Sequence, residues 1–284
     1  MKTILIQLDT DSHPSSFDRV VAVDSGVDHL FSYGNVTPEN VESLVHGAIF
    51  TRGPQSLHNT AIFVGGSNVD AGEAVFRKVR KTFFGPMRVS VMMDSNGSNT
   101  TAAAAVLAAA THLDLSTTTA TVLGGTGPVG LRAAQLLASR GATVHLVSRS
   151  KDRASTACES IGAAVENATL HPVGASGDKL AVACADSHLL IAAGAAGVQF
   201  FGDGQWQSLT NLKVAVDVNA VPPVGLEGIE VMDKATDRSG IMCYGAIGVG
   251  GTKMKIHKTA VRKLFESNDT VLDTETIFQL GESL

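Results

Sequence analysis

The chain has 284 residues, 44% hydrophobic and 17% charged, with 22 Lys plus Arg against 27 Asp plus Glu and a net charge of −5. That apolar share excludes a disordered chain, and a mildly acidic balance with no basic block and only 5% aromatic residues argues against nucleic acid as a partner. Three widely separated cysteines, Cys158, Cys184 and Cys243, fit reduced thiols in a cytoplasm rather than a disulfide framework.

The first half alternates strand and helix signals. Residues 3–8 (TILIQL) read as a buried strand, followed by the polar loop DTDSHPSSFD and a helix candidate near Ser16. Thr37-Pro38-Glu39 reads as a helix start, because Thr caps, Pro suits the first helical position and Glu favours the positive end. Residues 60–66 (TAIFVGG) are a second buried strand, and Asp70 opens a helix whose apolar stripe is Ala74, Val75, Val79 and Phe83. Residues 87–93 (MRVSVMM) give another strand, and the polar turn Asp94–Thr100 opens an alanine-rich helix over roughly 100–112.

The second half starts afresh. Strands are expected at 119–124, 142–147, 188–193 and 213–218, with helices at 128–140 and 151–161 and a last long helix from about 252 to 267. Alternation of this kind implies parallel sheets with helices on both faces. The expectation is therefore an α/β protein of two α/β domains, 1–115 and 116–250, the second a Rossmann-type doubly wound parallel sheet. Residues 251–284 would be C-terminal helices packing back across the domains. No run of about 18 apolar residues suggests a membrane span.

Gly125-Thr126-Gly127-Pro128-Val129-Gly130 is a G-x-G-x-x-G motif between a β-branched strand and an amphipathic helix, the context that makes it a dinucleotide fingerprint. Gly125 would permit the tight turn, Gly127 the approach of the pyrophosphate, and Gly130 close packing of helix on strand. The next strand ends in Ser148 and Arg149, where an NAD site usually carries an acid for the ribose hydroxyls. Ser and Arg suit a 2′-phosphate, so NADP is favoured, with NAD as second choice given nearby Asp152. Ala193-Gly194 and Asn219 follow later strands at their carboxyl ends, where ligands bind; an ordinary strand-to-helix turn is the competing reading for each.

No G-x-S-x-G, H-E-x-x-H or Walker pattern appears, and the nine histidines show no metal spacing, so no metal is expected. Asp9, Asp11 and His13 lie in the first strand-to-helix loop, and Asp94, Asn96 and Asn99 follow a later strand; such amide-rich and acidic clusters suit a polar heterocycle. His257 falls on an apolar helical stripe and reads as a core or interface residue. Gly245-Ala246-Ile247-Gly248-Val249-Gly250-Gly251-Thr252-Lys253 precedes the last long helix. A cation at a helix start opposes the macrodipole, which marks Lys253 as functional, with Lys255 as the competing lysine.

The segments QLDTDSHPSSFD, GNVTPENV, FFGPMRVSVMMDSNGSNTTAAA, GGTGPVGLRAA and GAIGVGGTKMKIHK resemble the bacterial methylene-tetrahydromethanopterin dehydrogenases over essentially the whole chain, and these are similar in architecture to methylene-tetrahydrofolate dehydrogenases. The resemblance implies an N-terminal substrate domain, a nicotinamide cofactor, and a homo-oligomer, commonly a trimer. It assigns phosphate-loop roles to Thr126 and Pro128, cofactor selection to Arg149 and a cleft role to Lys253. The implied reaction is oxidation of a methylene bridge on a reduced pterin carrier, tetrahydromethanopterin or else tetrahydrofolate, by hydride transfer. Asp9, Asp11 or Asp94 would offset the resulting cation or bind the pterin amino group. The alternatives are a folate-specific dehydrogenase and a nucleotide-binding regulator without turnover.

Overall fold

The computed structural model describes residues 1–177 and 179–284. They form two compact units, residues 1–100 with 254–284 and residues 101–253. The sequence placed the boundary near 115. The division falls instead inside the alanine-rich helix and inside the last long helix.

In chain order the elements begin with β1 (Ile4–Asp9), α1 (Ser16–Asp24), β2 (His29–Tyr33), α2 (Val41–Phe50), β3 (Thr60–Gly65), α3 (Val69–Thr82), β4 (Ser90–Met93) and α4 (Ser98–Ala110). Next come β5 (Thr119–Leu123), α5 (Pro128–Ser139), β6 (Thr143–Ser148), α6 (Lys151–Ala164), β7 (Thr169–Gly174), α7 (Lys179–Ala183), β8 (Leu189–Ala192) and β9 (Val214–Asp217). The chain ends with β10 (Lys234–Arg238), β11 (Ile241–Tyr244), α8 (Ala246–Lys263), β12 (Val271–Leu272) and α9 (Thr274–Glu282).

The first sheet has the order β2-β1-β3-β4-β12, and every pair is parallel. Its central strands are buried almost throughout and mostly apolar, as expected of strands covered on both faces. Ile6, Leu8, Ile62, Val64 and Val91 form one core with Val45 and Ile49 of α2 and Val75, Phe76 and Val79 of α3. The C-terminal stretch is not only helical: β12 joins this sheet beside β4. Helix α2 starts at Val41, after a turn in which Asn40 Oδ1 accepts from Thr37 N–H, so Thr37-Pro38-Glu39 precedes the helix.

The second sheet has the order β7-β6-β5-β8-β9-β11-β10, parallel except for β10, which pairs antiparallel with β11. The strand order reverses between β5 and β8, as in a doubly wound dinucleotide fold. Trp206, Leu180, Leu123, Leu190 and Ala215 share its core.

The segment 246–251 is helical rather than a loop before a helix. Ile247 and Gly248 N–H groups donate to Val231 carbonyl at 2.8 and 3.1 Å, so the first turn of α8 has acceptors. A side chain at Gly245 or Gly248 would run into the Glu230 or Asp233 carbonyl, so these two glycines do serve packing. Lys253 consequently stands about two turns inside α8. The macrodipole argument for it does not hold.

Candidate active site

At the carboxyl end of β5 the turn is made by Gly124, φ +71°, and not by Gly125. A carbon added at Gly125 would meet Leu146 at 2.6 Å, and one at Gly130 would meet the Gly124 carbonyl at 2.5 Å. Both glycines therefore let strand, turn and α5 pack together. Gly127 is the N-cap of α5 with Pro128 at the first helical position, where the missing N–H costs nothing.

A cavity of about 570 Å³ opens at this edge. Thr126, Gly127, Ser148, Arg149, Ala193 and Gly194 line it, together with Gly124, Ser150, Arg153, Ser176 and Phe200. Of the expected cofactor residues, Gly125, Pro128, Val129, Gly130 and Asn219 do not line it. Asn219 is committed to its own loop: Oδ1 accepts from Val221 N–H at 3.0 Å and Nδ2 donates to Pro223 carbonyl at 3.3 Å. Asp152 is absent from the wall as well.

Beyond β6, Ser150 caps α6 by accepting from Arg153 N–H, and Ser148 Oγ accepts from Ser150 N–H at 3.4 Å. Two guanidiniums, Arg149 and Arg153, thus stand with hydroxyls and a helix N-terminus at one end of the cavity. The sequence reading missed Arg153, although a second Arg four residues after the first, in the opening turn of α6, was visible. Glycine approach, the α5 N-terminus with its free N–H groups, and this basic end fit a phosphate-bearing dinucleotide.

The first sheet's order is the other common doubly wound one, with its switch point between β1 and β3. The expected substrate residues do gather at its carboxyl edge, but most face inward. Asp9 is fully buried and accepts from Asp11 N–H at 2.9 Å and Ser15 N–H at 3.0 Å. Asp94 is fully buried too, accepting from Asn99 N–H at 2.9 Å, Thr100 N–H at 3.1 Å and Thr100 hydroxyl at 2.6 Å; it caps α4. Asn99 donates to Met93 carbonyl at 2.7 Å and accepts from Thr274 hydroxyl at 2.8 Å. These three brace loops and are closed to direct ligand contact.

Asp11 accepts from Ser67 N–H and hydroxyl, both at 2.9 Å, tying the β1 loop to the β3 loop while half-exposed. His13 and Asn96 are exposed. His257 is buried, stacked on Phe63 with ring centroids 5.7 Å apart, its Nδ1 3.8 Å from Asp94 Oδ2. Lys255 Nζ donates to Leu284 carbonyl at 2.8 Å, which gives that lysine a structural role; Lys253 is half-exposed. A carbon added at Gly250 or Gly251 would meet nothing within 4 Å.

Fold and cavity define a Rossmann-type α/β protein with the features of a nicotinamide-dependent oxidoreductase. Over full length the structure is similar to 5-ketofructose reductase of Gluconobacter sp. strain CHM43, TM-score 0.53 at 14% identity, covering 100% of this chain and 99% of that one. It is similar also to quinate dehydrogenase from Corynebacterium glutamicum in complex with NAD, TM-score 0.52 at 13% identity with the same coverage. Those likenesses show the fold alone. Residues 16–96 match the family model described as methylene-tetrahydromethanopterin dehydrogenase, N-terminal. The chain is 45% identical to the Bifunctional protein MdtA of Methylorubrum extorquens, over 100% of this chain and 99% of that protein. It is 32% identical to that organism's NAD(P)-dependent methylenetetrahydromethanopterin dehydrogenase, over 99% of this chain and 98% of that protein. The chain belongs to the methylene-tetrahydromethanopterin dehydrogenase family.

Proposed function

We propose that the chain oxidises methylene-tetrahydromethanopterin to the methenyl form with NADP as preferred acceptor. The observation that carries the NADP preference is the basic end of the cavity: Ser148, Arg149, Ser150 and Arg153 line it, and among the described residues no acid does. A carboxylate there would repel a 2′-phosphate, whereas guanidinium and hydroxyl groups bind it. Thr126 and Gly127 with the start of α5 would hold the pyrophosphate, and Ala193-Gly194 would pass beneath the dinucleotide.

When bound, the nicotinamide supplies a hydride acceptor. Removing hydride from a carbon between two nitrogens leaves a delocalised cation and moves no proton, so no general base is required of the chain. Its residues bind and orient. Asp11, His13 and Asn96 are the side chains left to read the pterin at the first sheet's edge, and Asp11 is the carboxylate that would face the developing charge or the pterin amino group. Lys253 would donate a hydrogen bond to the pterin carbonyl or a bridging water. We further propose a homo-oligomer, a trimer, in the cytoplasm; three cysteines without a disulfide support a reducing compartment.

Steady-state reduction of NADP and NAD with methylene-tetrahydromethanopterin tests the reading, with methylene-tetrahydrofolate run alongside for a second carrier. NADP should show the higher kcat/KM. Equal use of both cofactors removes the 2′-phosphate contact, and no reduction with either carrier leaves a nucleotide-binding regulator.

A further inference from the structure

We infer that Asp217 is a positioning residue for the dinucleotide cavity: by tying its loop shut it sets the place of the cavity wall at residues 198–200. The inference rests on the reading that this cavity takes a dinucleotide.

Asp217 ends β9 and is 1% exposed, yet it lines no part of the cavity. Its Oδ1 accepts from Asn219 N–H at 2.9 Å and its Oδ2 from Leu226 N–H at 2.7 Å. One carboxylate therefore closes both ends of the loop 218–225. Gly225 lies flat against it: an added carbon there would be 3.1 Å from Oδ2 and 2.9 Å from the Ala192 methyl. The Gly225 carbonyl in turn accepts from Phe200 N–H at 2.8 Å and Phe201 N–H at 3.2 Å. Phe200 stands in the cavity wall with Val198 and Gln199, and its ring would be 2.7 Å from a carbon added at Gly194. The link runs from carboxylate to Gly225, from Gly225 to Phe200, and from Phe200 to the wall.

Two acceptor oxygens are needed for this. Asn in the same place offers one oxygen and turns an NH₂ group toward a backbone N–H, which loosens one end of the loop. A buried carboxylate is also a demanding choice for a loop clasp. Burial pushes the Asp217 carboxyl up from its usual range, while the backbone N–H groups of Asn219, Leu226 and Gly225 pull it back. Among the described residues the groups that act on its charge are those N–H groups, and no titrating side chain is among them. As pH falls, protonation begins above the ordinary carboxylate range and removes acceptor strength from the clasp. Dinucleotide affinity should fall with it.

The test is calorimetric titration of NADP and NAD into wild type and Asp217→Asn, from neutral pH down to the lowest pH at which both stay folded, with folding checked by thermal melting. NAD is the informative ligand for the pH series, because it lacks the 2′-phosphate, which titrates itself. At neutral pH the variant should bind both dinucleotides about tenfold more weakly, the scale of one lost hydrogen bond to a charged group. NAD affinity should decline with pH in wild type and stay flat in Asp217→Asn. A loop that is merely structural would lower the melting temperature without moving that profile. Unchanged NAD affinity in the variant, or the same pH dependence in both proteins, overturns the inference. Should Asp217→Asn fail to fold, Gly225→Ala disturbs the same link without touching the charge, and wild-type NAD affinity in that variant overturns it equally. Wild type that binds neither dinucleotide would instead sink the cofactor reading.

Discussion

The two sheets spend the polar residues at the carboxyl edges of their parallel strands differently. At the second sheet, Arg149, Arg153, Thr126 and Ser176 face an open cavity, and the glycine turn keeps backbone within reach of it. At the first, Asp9, Asp94 and Asn99 are buried and bonded to the protein itself. The difference teaches what each ligand class demands. A dinucleotide is held by main-chain N–H groups, helix ends and surface cations, which need space and glycine. A polar ring system needs a rigid edge; the buried carboxylates that cap turns supply rigidity, and on the proposed reading a few exposed neighbours would contact the ring.

The largest effect should come from Gly127→Val. A first side-chain carbon there lies 3.2 Å from the Gly124 carbonyl and 3.5 Å from the Ala193 carbonyl, so the backbone can give slightly, but the further methyls must enter the cavity. Dinucleotide binding, followed by calorimetry, should be lost from a protein that still folds. Gly130→Ala makes the opposite case: its carbon meets the Gly124 carbonyl at 2.5 Å, and stability should fall instead. Tight NADP binding by folded Gly127→Val would dissolve the distinction between a binding glycine and packing glycines.

Lys253→Ala comes next. Loss of one charge-assisted hydrogen bond to the pterin carries about 1.5–3 kcal/mol, or roughly one to two powers of ten in turnover or carrier affinity. NADP affinity should stay put. Lys255→Ala, which removes a bond to the Leu284 carbonyl, is the matched comparison. A near-normal Lys253→Ala would move the carrier reading away from α8.

The second sheet was the more legible in sequence, for a physical reason. Its fingerprint is a backbone device, and backbone devices need glycine and proline at fixed spacing, which composition displays. Buried central strands such as β3 and β8 are equally plain, being continuous apolar runs. Edge strands are not: β2 is half-exposed, β7 contains Pro172, and β10 reads KATDR, so none shows a buried run. The inward turn of Asp94 and Asn99 was illegible because a capping carboxylate and a ligand-binding one occupy the same place after a strand. The glycines of 245–251 misled in the other direction: Gly245 and Gly248 allow close approach to residues 230–233 and do not end a helix.

That ambiguity at Asp94 gives a third experiment. Asp94→Ala strands the Asn99 and Thr100 N–H groups in the interior and removes the shortest acceptor of the Thr100 hydroxyl, and should lower unfolding free energy by about 1–3 kcal/mol in a denaturant titration. His13→Ala, at an exposed position, should leave stability within about 0.5 kcal/mol and weaken carrier binding instead. The reverse pattern would mean that the first sheet's edge reads its ligand with buried acids after all.

The smallest effect is expected at the basic end of the second sheet's cavity. Arg149 and Arg153 are both exposed, so water and salt screen any contact they make with a 2′-phosphate. Each single change to Ala should raise the NADP KM only about three- to tenfold, in line with 0.5–1.5 kcal/mol for a screened charge-assisted contact. The NAD KM should barely move, because NAD offers these side chains no extra phosphate. Two guanidiniums on one phosphate share its oxygens, so the double variant should lose less than the product of the single losses. The NADP advantage should also shrink as ionic strength rises, and that salt dependence should vanish in the double variant. If Arg153→Ala weakened both cofactors equally, Arg153 would serve the pyrophosphate or the wall, and selection would rest on Arg149 with Ser148 alone.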